Sequence, residues 1–319
     1  MVIHQLPRVA KGWNTHGLTQ KQCDAYYMND GTDCPGKDKE INRGDGSERM
    51  SGYVTKEDVE AGRYKPLSEG VSLQYANREP RFYASVAYNG DVWNLLNSNK
   101  NAGEPQNIQV FYYRGDGNGY TNSMFWLRTG IGVKKFVHPD DMGKGDNNEE
   151  LIKKKVEPAI RYAEVLLIYA EALNESTTDR NITEMLNALN EVRVRGGLPK
   201  IKNDLGYEDM KKEIRRERAV ELYAEEHRFF DVRRWLIAGE EGIMKGEFYT
   251  FSLKEKAYNK YKVPQESWTA QQKKDNDSWL YYAIEPFENR IWEDKMYLYP
   301  FPQDEVNKGI IVQNPGWEL

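Results

Sequence analysis

The sequence predicts a mainly α protein with long irregular connections and a few short strands, and three observations carry that expectation. Three helical patterns follow one another through residues 161–235. On either side, signals rich in Gly, Asp, Asn and Pro interrupt almost every periodic run. Mean hydropathy is −0.83 and hydrophobic residues make up 39% of the chain, so much of the backbone must run along the surface, where water satisfies its polar groups. At 319 residues the chain is ample for one large core, and no shift in composition marks a seam. We therefore expect a single domain over 1–319, with a helical scaffold at 159–237 and loop-rich flanks at 1–158 and 238–319.

In the first flank, Asp30-Gly31, Cys34-Pro35-Gly36, Gly44-Asp45-Gly46 and Ser68-Glu69-Gly70 mark turns, with one short amphipathic helix over 20–28. Phe82, Ala84, Val86 and Tyr88 alternate with Tyr83, Ser85 and Ala87, which predicts a half-buried strand closed by the turn Asn89-Gly90-Asp91, where a hairpin begins. Residues 108–113 and 125–137 are strand-like, separated by Gly115-Asp116-Gly117-Asn118-Gly119; residues 140–150 form an acidic, glycine-containing loop.

The scaffold starts after Pro158, which suits a first helical turn because its missing N–H would be unpaired there. Residues 161–173 are apolar nearly all round and predict a helix buried between neighbours. Asn181 with Glu184 three residues on caps a second helix whose stripe is Ile182, Met185, Leu186, Leu189 and Val192, stopped by Gly196-Gly197 and Pro199. A third helix is expected over 208–236. At 100° per residue, Met210, Ile214, Leu222, Phe229, Val232, Trp235 and Leu236 share one face with Glu217, Arg218, Glu221, Glu225 and Arg228. Unpaired charges on a packing face are costly, so these five are expected in an ion network with Arg161, Glu164 and Glu171 of the first helix. The second flank is irregular, with aromatic clusters at 248–251, 279–282 and Trp292, and ends in proline-bounded extended segments. No repeat is regular enough for a 34-residue tetratricopeptide array, although paired antiparallel helices fit the pattern.

Several chemistries are disfavoured. Net charge is −5, from 45 basic and 50 acidic residues in alternating sign, which offers no footprint for nucleic acid or anionic lipid. His4, His16, His138 and His227 lack metal-ligand spacing, so no metal is expected. The glycines at 115, 117 and 119 lack the strand-to-helix framing of a dinucleotide site, and no P-loop or GxSxG elbow occurs, so no cofactor is expected. Asp140, Asp141, Asp146 and Glu149 could hold calcium but do not match an EF-hand, and a solvated loop is the favoured reading. Glu217, Glu221 and Glu225 could be offered as a glycosidase acid/base pair, but their arginine-rich company favours a structural network. Cys23 and Cys34 leave one small-loop disulfide open. No apolar run is long enough to span a bilayer, and residues 1–18 lack the pattern of a signal peptide. The positive signal is 21 Tyr and 8 Trp set among Asn, Asp and Gly, because flat rings with a polar handle suit ligands that present both an apolar face and hydroxyls.

Separated stretches carry a family resemblance. Thr19-Gln20, Asp24-Ala25-Tyr26 and Asn29-Asp30-Gly31 open it. Arg78-Glu79-Pro80-Arg81-Phe82-Tyr83-Ala84 continues to Tyr88-Asn89-Gly90 and Trp93, and Arg161-Tyr162-Ala163-Glu164-Val165-Leu166-Leu167 to Tyr169-Ala170-Glu171-Ala172. Residues 191–199 follow, with Gly196 where alanine is usual, then Glu217-Arg218, Glu221-Leu222, Glu225, His227-Arg228-Phe229-Phe230-Asp231 and Arg233-Arg234-Trp235. Residues 302–317 close the series with Gln313-Asn314-Pro315-Gly316-Trp317. Over residues 19–319 this order resembles the SusD/RagB group of outer-membrane nutrient-binding lipoproteins of Bacteroidetes.

The resemblance implies an α-α superhelix of atypical tetratricopeptide-like helix pairs. It also implies irregular loops that bind glycan in polysaccharide utilisation, and docking as a lid on a SusC-type TonB-dependent transporter. Family members carry a signal peptide, a lipidated cysteine and an N-terminal set of helices without counterpart here, so the chain is expected to correspond to the C-terminal region of a lipid-anchored, surface-exposed outer-membrane protein. The motif residues look structural, which leaves the loops to bind. Trp13, Tyr53, Tyr64 and Trp126 are the candidate ligand rings; loop packing or transporter contact is the alternative for each. The competing functional readings are a tetratricopeptide-like protein-interaction module, a peptide-binding nutrient receptor and a glycosidase.

Overall fold

The structure, a computed structural model, describes residues 1–35, 52–95, 106–112, 118–119, 126–143, 152–156, 158–252 and 283–318. The turn at Gly44-Asp45-Gly46, most of the glycine-rich run at 115–119, Asp146, Glu149 and the aromatic cluster at 279–282 lie outside the described residues.

The first flank builds the largest core from short pieces. Helix α1 (Gln20–Ala25) starts where the Thr19 side chain accepts from Gln22 N–H, and α2 (Lys56–Glu60) starts with a capping box between Thr55 and Asp58. Helix α3 (Pro80–Ser85) runs into strand β1 (Val86–Ala87). The strand expected over 82–88 is thus mostly helix. Pro80 at the first helical position presets the backbone, and Phe82 is buried against Tyr26, Tyr75 and Tyr88. Alternation over so few residues does not distinguish the two states when tertiary ring packing decides. Strand β2 (Asp91–Leu95) pairs antiparallel with β3 (Gln106–Val110), as the expected hairpin after Gly90, whose φ of +86° suits glycine. Of the strand expected over 125–137, only β4 (Gly132–Val133) forms among the described residues, pairing with β1. Trp93, Tyr26, Tyr75, Phe82 and Ile131 are fully buried in this core.

The scaffold has its own core. Helices α4 (Tyr162–Glu175), α5 (Ile182–Arg195) and α6 (Tyr207–Glu221) pack through Leu167, Ala170, Met185, Leu189, Met210 and Ile214. Asn181 accepts from Glu184 N–H at the start of α5. At its end Leu198 N–H bonds Arg193 O and Gly197 N–H bonds Val194 O, a Schellman motif with Gly197 at φ +85°. Helix α4 is not buried all round. Ala163, Leu167, Ala170 and Asn174 form its buried stripe, while Tyr162, Val165, Ile168 and Tyr169 face outward at 44–67% exposure, because α5 and α6 both lie on one side.

The long third helix is broken. After Glu221 the chain turns through Ala224 (φ 60°) and Glu226 (φ 67°) before α7 (His227–Arg234). No Gly or Pro announces this break; side chains from elsewhere hold it. Lys135 Nζ donates to Glu221 O and Tyr223 O at 3.0 and 2.8 Å, and Arg161 Nη2 to Glu221 O at 3.1 Å, satisfying carbonyls that a helix end leaves open. Beyond the break the wheel drawn for a continuous helix no longer applies, and Leu236 is 72% exposed.

Strands β5 (Gly246–Ser252) and β6 (Ala283–Arg290) pair antiparallel. A third small core joins Val232, Ala238 and Trp292. In the tail Trp317 Nε1 donates to Lys295 O and Leu298 O. Among the described residues no helix is long and apolar enough to cross a membrane.

Candidate functional site

Glu217, Glu221 and Glu225 are locked in ion pairs. Glu217, with no exposure, takes Arg81 Nη1 at 2.6 Å and Arg193 Nη1 at 3.4 Å; burial pushes its carboxyl up against the pull of both arginines. Glu221 is shared by Arg81 (3.1 Å), Arg161 (3.0 Å) and Arg195 (2.5 Å), and Glu225 by Arg161 (2.6 Å) and Lys135 (2.5 Å). Arg81, Lys135 and Arg193 are partners that the helical wheel of the scaffold does not supply. Glu171 serves a neighbouring group, taking Arg234 at 2.6 Å and lying 3.9 Å from Arg218, which holds Asp231 at 3.0 Å. Glu164 stands 3.7 Å from His227 Nδ1. Arg228 is the departure: it reaches solvent and forms no ion pair among the described residues, because the break before α7 turns it away from the packing face. A glycosidase pair needs an acid free to deliver a proton to the scissile oxygen, and the guanidinium groups around these carboxylates already take that place.

The four candidate rings are distributed over the first flank. Trp13 is 41% exposed and meets His4 edge-on at 4.6 Å; His4 in turn stacks on His16 at 5.0 Å. Burial, then His4 and the N-terminal amine, lower the His16 imidazole below its usual pKa. Tyr53 and Tyr64 are partly buried against the main core; Tyr53 bridges to Ser72 and Tyr64 has a left-handed φ of 57°. Trp126 is half-buried. Asp141 is occupied by Lys155 Nζ at 2.6 Å and by the His138 and Lys153 amides. Cys23 and Cys34 stand as two buried thiols rather than a disulfide. Among the described residues no group of three or more His, Cys, Asp or Glu is placed to hold a metal.

A large cleft of ≈1230 Å³ lies between α1, the outer side of α6, α7 and the 237–248 segment. His16 lines it, so Trp13 stands two ring contacts from its wall. Phe229 and Phe230 line it from α7, Phe230 at 64% exposure and edge-on to Phe229 at 5.2 Å. These two rings were not among the sequence candidates, since they fall inside a motif assigned to the scaffold. The signal was present: consecutive Phe residues on a helix point about 100° apart, so a single packing face does not bury both.

The SusD family profile matches residues 4–317. The chain belongs to the SusD family. Two crystal structures from Bacteroides fragilis NCTC 9343 are among its relatives in fold. A SusD-like protein is 23% identical with a TM-score of 0.64, covering 99% of this chain and 52% of its own. A protein described as a SusD-like carbohydrate-binding protein is 21% identical with a TM-score of 0.61, covering 95% of this chain and 49% of its own. This SusD-family chain therefore spans about half the length of the solved structures it matches. No curated protein matches it.

Proposed function

We propose that this SusD-family protein captures an oligosaccharide at the cell surface without breaking any bond and passes it to a SusC-type TonB-dependent transporter of the outer membrane, to which a lipid anchor keeps it close. The observation that carries this reading is the exposed Trp13 ring against His4, which stacks on His16 in the wall of the large cleft. An indole face stacks on the C–H face of a sugar ring, and polar groups in the wall satisfy the hydroxyls. Family membership supports the same reading, as does the ion pairing that occupies Glu217 and Glu221.

The test is calorimetry of the protein against a panel of plant and host oligosaccharides, with Trp13→Ala, Tyr53→Ala, Tyr64→Ala and Trp126→Ala in parallel. Binding without release of reducing sugar, weakened by roughly tenfold in Trp13→Ala, is expected, since an aromatic pair contributes about 0.5–1.5 kcal/mol beyond burial. Silence across the panel, or turnover that disappears in Glu221→Gln, overturns the reading. Hand-over is tested by co-purification with the transporter from outer membranes.

A further inference from the structure

Residues 207–237 carry as many acidic as basic side chains, yet several of the acidic ones find their partners elsewhere in the fold. Glu213, Glu217, Glu221 and Glu225 are taken by cations that other elements bring, namely Arg193, Arg81, Arg161 and Lys135. Arg215, Arg216 and Arg218 of α6 and Arg228 of α7 line the cleft, with Glu213 in the same wall.

These arginines have donors to spare. Arg218 is 3% exposed; its Nε and Nη2 hold Asp231 at 3.0 Å each, but its buried Nη1 meets no acceptor. Arg216 pairs with Asp33 through Nη1 and has a buried Nη2 without an acceptor. Arg215 lies over the Trp235 ring at 4.7 Å, within charge range of Glu175. Arg228 reaches solvent through the cleft mouth while protein crowds its other sides. That burial holds its guanidinium below the ordinary value, with Arg215 adding to the effect and Asp231 opposing it. The carboxylates that also line the cleft are engaged: Asp24 accepts from Gln20, Asp33 pairs with Arg216, Asp209 with Lys212, Glu213 with Arg193, and Asp231 is shared between Arg218 and Arg234, while Glu226 is exposed beside them.

A buried N–H without an acceptor and two neighbouring like charges are both unfavourable, and an oxyanion placed among them relieves both at once. Guanidinium groups suit that role because their planar fork matches carboxylate and sulfate oxygens. Phe229, Phe230, Ile237 and Met244 supply apolar wall beside the arginines, and the volume exceeds the roughly 300–1,000 Å³ of a site for one drug-sized molecule, which leaves room for several sugar rings.

We infer that the cleft selects a glycan bearing acidic substituents, and that Arg215, Arg218 and Arg228 receive its carboxylate or sulfate group. This rests on the glycan reading above and adds the charge of the sugar to it.

Calorimetry tests it with three probes: tetragalacturonate, its methyl ester, which keeps the sugar chain and removes the charge, and a sulfated galacto-oligosaccharide. The two acidic probes separate carboxylate from sulfate. At least one is expected to bind at least about tenfold more tightly than the ester, the scale of one charge-assisted hydrogen bond. The advantage should shrink as salt is raised, vanish in Arg215→Gln/Arg228→Gln and grow in Glu226→Gln. Thermal melts confirm that each variant is folded; Arg228→Gln alone, at a solvent-reaching position, serves if the double variant is not. Equal binding of acid and ester, unchanged by Arg228→Gln, overturns the inference and leaves glycan capture standing. Binding of an acidic peptide through Arg228 with no sugar bound overturns both.

Discussion

Arg161, the residue that precedes α4, clasps Glu225 with two prongs, Nε to Oε2 at 2.6 Å and Nη2 to Oε1 at 2.8 Å. It thereby ties the start of one helix to the joint between two others. Glu225 is 16% exposed and Arg161 26%, so removing the carboxylate leaves Arg161 with Glu221 alone and Lys135 with two carbonyls and no counter-charge, in a site largely shut off from water. Glu225→Ala should cost about 3 kcal/mol. Arg195, 59% exposed in its pair with Glu221, should cost under about 1 kcal/mol as Arg195→Ala. Denaturant melts of the two variants check the contrast, and equal losses would refute the network as described.

A second expectation concerns pH. Burial pushes the Asp91 carboxyl up from 3.8 to about 6 despite Lys134 Nζ at 2.7 Å. Between those values the folded chain holds a proton that the unfolded chain has lost, so this group makes stability fall as pH rises from 3.8 to about 6. Glu225 acts in the opposite sense. Although burial raises its pKa, Arg161 and Lys135 hold the carboxyl below its usual range, so its contribution is present above the ordinary glutamate value and is lost as pH falls through the depressed one. Carboxyl-carbon NMR should show Asp91 titrating near 6; an ordinary midpoint would refute it.

The exposed side of α4 gives a third. Leu167 is fully buried and its neighbour Ile168 is 49% exposed. Leu167→Ala should cost about 3 kcal/mol and Ile168→Ala about 1 kcal/mol or less, measured by urea unfolding. Comparable costs would mean that both sides of α4 are packed.

A fourth concerns Gly197. Its φ is +85°, and a Cβ there would lie 2.6 Å from Pro80 Cγ. Gly197→Ala should cost about 2 kcal/mol through left-handed strain and the clash with α3. A melting temperature within error of the parent would show that the contact yields freely.

Local signals made much of the scaffold legible. Asn181 and Gly197 act where the sequence places them, because a cap and a Schellman glycine work within a few residues of chain. Helix α3 and the joint after Glu221 were hidden because their causes are distant: rings from three segments enclose Phe82, and Lys135 and Arg161 hold the joint. The same distance hid half of the cleft. Trp13 stood out as a ring in a polar loop near the cleft wall and the paired Phe229 and Phe230 carried a local signal, whereas the spare arginines became visible only once α7 had turned away from α6.

That turn has a thermodynamic consequence. The joint that aims Arg228 at the cleft is held by Arg161 and Lys135, so occupancy of the cleft and integrity of the ion network share one free-energy cycle. A ligand that bridges Arg215 and Arg228 across the joint should raise the melting temperature of the parent protein. In Glu225→Ala it should restore part of the lost stability while binding more weakly, each site reporting on the other by the same factor.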